Sequence, residues 1–167
     1  TNTHPQAICQ MYVKMDETVG QAMERLDKDT AVFVMSDHGF KPFRRGVDLN
    51  AWLLANGYLK LKGNASSSSS TYLADVDWSC TKAYAIGLAG IYVNQAGRES
   101  QGIVARGEAA ALVNELKGKM TGLADAERGA IAIHEAVPSM QAYHGPYVDA
   151  APDLIIGYNV GYRVSWD

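Results

Sequence analysis

Apolar positions change their period several times along the 167-residue chain, and each change marks an element. Ile8, Tyr12, Met15, Val19, Met23 and Leu26 recur at helical spacing. They predict an amphipathic helix of roughly five turns whose Met and Tyr stripe faces a core. Asp27-Lys28-Asp29-Thr30 makes a turn. Ala31-Val32-Phe33-Val34-Met35 is short, apolar throughout and rich in β-branched residues, so it predicts a buried strand in a sheet covered on both faces. Asn50 reads as the cap of a short helix from Ala51 to Asn56, ended by Gly57. Tyr58 to Leu61 is a short strand pattern, and Ala83 to Ile86 and Ile91 to Val93 are two more, around Gly87 and Gly90. Asn94 to Gly97 is a turn, and Ala111, Leu112, Leu116 and Met120 place a helix over Glu108 to Met120. Ala130 to Val137 is strand-like, and Asp153 to Gly157 is a last strand set off by Pro152 and Gly157. No segment repeats. Helices alternating with strands predict an α/β sandwich.

Between these elements, Gly63 to Ser70 holds five consecutive serines, a composition unable to bury enough surface to offset its ordering entropy. A mobile surface loop at about 63–71 is expected inside one domain that spans 1–167. Asn64-Ala65-Ser66 within it matches a glycosylation acceptor.

Hydrophobic residues make up 47% of the chain and charged ones 20%, the balance of an ordinary globular domain long enough to bury a core. A net charge of -3 gives no basic field for nucleic acid or anionic membrane. No apolar stretch reaches the ~18 residues of a membrane span. Thr1 to Gln10 lacks the basic start and apolar centre of a signal peptide, and the compartment stays open. Cys9 and Cys80 stand apart from each other and are expected to be small buried hydrophobes.

Chemistry concentrates at Ser36-Asp37-His38-Gly39-Phe40, directly after the predicted strand Ala31 to Met35. Asp37 and His38 offer a carboxylate oxygen and an imidazole nitrogen at one point, a donor pair that Zn²⁺ or Mn²⁺ accepts. In open α/β sheets ligands gather beyond the carboxyl ends of strands, and Gly39 lets the backbone turn there. The competing explanation is a plain turn, with Asp bonding its own backbone and Gly taking a positive φ. A catalytic zinc also takes about three protein groups. His4, His134 and His144 supply no obvious third.

More of the chain fits one pattern. Val34-Met35-Ser36-Asp37-His38-Gly39-Phe40 resembles the second-metal motif of the alkaline phosphatase superfamily. The similar branch is type I phosphodiesterase/nucleotide pyrophosphatase, with its phosphohydrolase/phosphomutase relatives. Tyr12-x-x-Met15-Asp16-x-x-Val19-Gly20 is similar to the helix before that motif, and Asn50-x-x-Leu53 with Gly57-Tyr58-Leu59 to the stretch after it. Asp77-Trp78-Ser79-x-Thr81-Lys82-Ala83-Tyr84-Ala85, Gly97-Arg98-Glu99 and Ala151-Pro152-Asp153-Leu154 resemble later landmarks.

The resemblance implies a partial alkaline-phosphatase-like α/β/α sandwich and a phosphodiesterase or phosphatase acting on a small phosphate ester. It also implies a site of two cations roughly 4 Å apart, zinc first and manganese second, with Asp37 and His38 as ligands of the one that activates a Ser or Thr nucleophile. The family's nucleophile and earlier ligands precede a helix like the opening one, and its last His follows a strand like Asp153 to Gly157. The chain is therefore expected to be a C-terminal-middle piece, inactive alone, with two of about seven ligating or attacking groups. Exposed sheet edges make a homodimer plausible for such a piece, and a non-catalytic α/β binding or dimerisation module is the rival class. Arg44 and Arg45 are candidates for a substrate phosphate, with a solvated basic loop as the alternative. Arg98-Glu99 reads as a structural ion pair or turn, Asp16 as solvent-facing, and Tyr162-Arg163 as packing.

Overall fold

In the computed structural model the chain divides into two units, 1–40 and 41–167, and residues 4–63 and 73–165 are described. The Ser-rich loop and the Asn64 acceptor lie outside the described residues.

The first unit holds the opening helix, α1 (Ala7–Met23), which forms where the apolar period requires it. None of its residues is buried: Ile8, Met11, Tyr12 and Met15 lie along an apolar groove open to solvent. Leu26 falls in the turn beyond it. The strand expected at Ala31 to Met35 does not form. Phe33 is 84% exposed and Met35 88%. A strand exists only through a neighbour that takes up its N–H and C=O groups, and among the described residues none pairs with this segment. Apolar character on both faces supplies demand for burial without supplying the partner.

The second unit starts with β1 (Arg45–Val47), followed by α2 (Leu49–Ala55). The α2 cap is Asp48, whose carboxylate accepts from the Ala51 backbone N–H at 2.8 Å; Asn50, read from the sequence as the cap, instead exchanges two hydrogen bonds with the Ala85 backbone. Tyr58 to Leu61 forms only an isolated bridge, Leu61 to Val76, in place of the expected strand. Then come β2 (Ala83–Ile86), β3 (Gly90–Val93) and α3 (Arg106–Met120). The predicted strand at 130–137 is divided into β5 (Ala130–Ile131), paired with β4 (Ala124–Asp125), and β6 (Ile133–Pro138). A short helix, α4 (Ser139–Ala142), leads to β7 (Leu154–Tyr158) and β8 (Tyr162–Val164).

Four strands make an antiparallel sheet in the order β2-β3-β7-β6, and β1 pairs with β8 in parallel. Register and alternation put Ala83, Ala85, Ile91, Val93, Leu154, Ile156 and Ala136 on one face. All of them are buried, with Leu53 of α2 and Leu112, Leu116 and Met120 of α3 in the same core. The opposite face carries Tyr84 stacked on Tyr92 at 5.5 Å, with Trp78 edge-on to Tyr84. An antiparallel sheet tolerates that one-sided cover. Helices and strands share the unit, so the chain is α/β.

One further sequence expectation needs correction. Cys9 and Cys80 are both exposed, not buried. Tyr162 and Arg163 belong to β8, and the Tyr162 hydroxyl donates to Asp125 at 3.0 Å. Arg98 and Glu99 do form the expected ion pair, at 2.8 Å, and Arg98 also grips both carboxylate oxygens of Asp153.

Candidate functional site

In the first unit, four local contacts fix the conformation at 36–40. Ser36 Oγ donates to the His38 carbonyl at 2.6 Å, and the His38 backbone N–H donates to Asp37 Oδ1 at 3.0 Å. His38 Nδ1 lies 3.0 Å from the Gly39 carbonyl oxygen. Phe40 stands edge-on to the imidazole, ring centroids 5.3 Å apart.

The Gly39 contact decides the tautomer. A carbonyl oxygen only accepts, so Nδ1 is the donor and carries a hydrogen. In the neutral ring Nε2 then bears a lone pair. That Nε2 is 3.4 Å from Asp37 Oδ2, and both side chains are largely solvent-accessible. Two acceptors held that close repel unless a positive charge sits with them, either a proton on Nε2 or a metal cation. A backbone carbonyl behind the far nitrogen is also how metal-bound histidines are commonly oriented. The donor set, one carboxylate oxygen and one imidazole nitrogen, fits part of a divalent-metal shell. It is not a whole shell: among the described residues no group of three His, Cys, Asp or Glu side chains could hold an ion.

Phe40 and the Gly39 carbonyl are parts of this arrangement that sequence reasoning missed. Their only signal was adjacency to the motif.

In the second unit the two tandem arginines have different surroundings. Arg45 Nη1 lies 2.5 Å from Glu127 and 3.4 Å from Asp125, and its pKa is raised chiefly by the hydrogen bond to Glu127. Arg44 is exposed, and its guanidinium makes no hydrogen bond or ion pair among the described residues.

Against known families, the model for type I phosphodiesterase / nucleotide pyrophosphatase matches residues 3–166. The chain belongs to this family. No curated protein and no solved structure matches it. The family is one of phosphoester hydrolases and generally uses divalent metals. In this type I phosphodiesterase-family chain the match takes in both units and the whole of 36–40.

Proposed function

We propose that Asp37 and His38 are two ligands of a two-metal site in a phosphodiesterase or phosphatase acting on a small phosphate ester, and that the nucleophile and remaining ligands come from outside these 167 residues. The observation that carries this is the 3.4 Å approach of Asp37 Oδ2 to His38 Nε2, the ring nitrogen on the far side from the Gly39 carbonyl contact. Zinc is favoured over manganese by the mixed nitrogen and oxygen donors. A bound divalent cation supplies charge that lowers the pKa of a coordinated hydroxyl and offsets negative charge building on phosphoryl oxygens. Asp37 contributes the neutralising carboxylate, and its second oxygen stays on the His38 N–H, which holds the group in place. The Gly39 carbonyl keeps the His38 proton on Nδ1 and leaves Nε2 free to ligate.

Two ligands alone hold metal weakly, so the isolated chain is expected to bind zinc without tight stoichiometry and to turn over little or no substrate. The test is hydrolysis of an aryl phosphate or phosphodiester by the protein as it occurs naturally, with and without Asp37→Ala. The expected loss is several powers of ten, because the clamp on the nucleophile goes with the ligand. Undiminished hydrolysis would sink the assignment.

The rival is a non-catalytic binding or dimerisation module. It gains support from the lack of a three-donor group among the described residues and from the exposed apolar residues of the first unit. Zinc titration of the isolated chain followed by elemental analysis, beside the hydrolysis assay, separates the two. A natural protein that hydrolyses neither substrate and retains no zinc favours the module.

A further inference from the structure

The second unit treats its two adjacent arginines unequally, and that inequality has a chemical reading. Arg45 is neutralised where it stands, between Asp125 and Glu127. Tyr162, its partner in the β1–β8 register, donates to the same Asp125, so this side of the pair is a closed ion-pair network.

Arg44 is anchored by its backbone only. Its N–H donates to the Gly161 carbonyl at 2.7 Å, and the Arg45 N–H reaches the same oxygen at 3.2 Å. These bonds continue the strand pairing one step and set Arg44 opposite Gly161, two positions from Arg163 on the neighbouring strand. Gly161 has φ +91°, a conformation that glycine adopts without a steric penalty, and it adds no side chain beside Arg44. Arg163 places its guanidinium over Phe43, with Cζ 3.7 Å from the ring centroid. Lys41 is exposed a few residues before. The result is a cationic surface next to a network that engages Asp125 and Glu127.

We propose that Arg44, beside the Arg163 placed over Phe43, forms an anion subsite that takes the phosphoryl oxygens of a phosphate ester. A guanidinium offers two parallel N–H donors that match two phosphate oxygens, which a point charge does not. Arg45 is not part of this subsite, because its charge is already paired through Nη1 with Glu127 and Asp125. The inference rests on the phosphoester-hydrolase reading above only for the identity of the ester; the anion-binding claim belongs to the second unit alone.

The experiment is a calorimetric titration of the full chain with inorganic phosphate, at low salt and with EDTA present so that no metal takes part. Saturable binding is expected, weakened about tenfold in Arg44→Ala, as for a lost hydrogen bond to a charged group. Arg44→Lys should recover only part of it. Arg45→Ala should bind phosphate as tightly as the unaltered chain. The proposal is overturned if the unaltered chain does not bind phosphate, if chloride competes equally well, or if Arg44→Ala binds normally. Equal losses in Arg45→Ala and Arg44→Ala, with unchanged thermal melts, overturn it too. Failure of the metal site shows in a different measurement, as undiminished hydrolysis by Asp37→Ala, so the anion subsite and the metal site stand or fall separately.

Discussion

At the residue scale, the Asp37-His38 pair was visible in the sequence because its two donors are neighbours in the chain. What orients them was not visible. The Gly39 carbonyl contact and the Phe40 ring depend on backbone angles that five letters do not specify. Two tyrosines give a prediction of a different kind. Burial pushes the pKa of Tyr158 up to about 12, and burial, followed by the Glu99 charge, pushes Tyr84 up to about 12. Unfolded tyrosine ionises near pH 10. From there to about pH 12 the unfolded chain sheds these protons while the folded one keeps them, so stability is intact below pH 10 and falls as pH rises. The slope is at most about 1.4 kcal/mol per pH unit for each tyrosine, and less here because both rings are only partly enclosed. The Tyr158 hydroxyl is also buried without a partner among the described residues. Tyr158→Phe should therefore equal or exceed the unaltered chain in stability at pH 7 and lose less between pH 10 and 12. Urea unfolding at both pH values checks this, and a destabilised variant at pH 7 contradicts it. For Asp153→Asn the expectation is opposite. Asp153 accepts two bonds from Arg98 and one from the Val93 N–H, so loss of its charge should cost about 2 kcal/mol, read as a lower urea midpoint.

At the element scale, legibility followed how local the cause of each element is. The period of α3 and the alternation of β2, β3 and β7 lie in the residues themselves, and these elements stand within a few positions of where the pattern put them. The strands β1, β4 and β8 are two or three residues long and owe their existence to partners elsewhere in the chain, such as Arg45 with Tyr162. No local period encodes that. The predicted strand at 31–35 fails for the converse reason, since it has the composition without a partner among the described residues. The turn between β3 and α3 carries a constraint that composition also hides. A Cβ at Gly102 would sit 2.0 Å from the Gln95 carbonyl oxygen, an approach the backbone cannot relieve without moving. The same turn is held by Asn94, whose side-chain amide donates to the carbonyls of Trp78, Thr81 and Gln101. Gly102→Ala should therefore destabilise by about 2 kcal/mol or more, in the range of overpacked sites. Gly118→Ala, in open space on α3, should be neutral or stabilising. Paired thermal melts test the contrast, and equal melting points would refute it.

At the scale of the whole molecule, the two units differ in what holds them. The second has a core in which Leu53, Ile91, Leu116, Met120, Ile133 and Leu154 are fully enclosed, so its central amides open only with most of the unit. In the first, α1 is a 17-residue helix with no buried residue and no side-chain N-cap bond. Most helix stability in proteins comes from packing an apolar face, because nucleation is costly, and α1 buries none. Gly20 within it lowers the propensity further. Amide exchange at low micromolar concentration should consequently show α1 nearly unprotected while Ile91 and Ile156 exchange orders of magnitude more slowly. Concentration is the informative variable. Ile8, Tyr12, Met15 and Phe33 leave an apolar surface in water, and covering it by a second copy would stabilise the helix by mass action. Protection of α1 that rises with concentration, alongside a faster sedimenting species, is the outcome that supports the homodimer. Protection of α1 equal to that of β3 in a dilute monomer would contradict the exposure of this helix, and with it the reason its neighbouring apolar segment forms no strand.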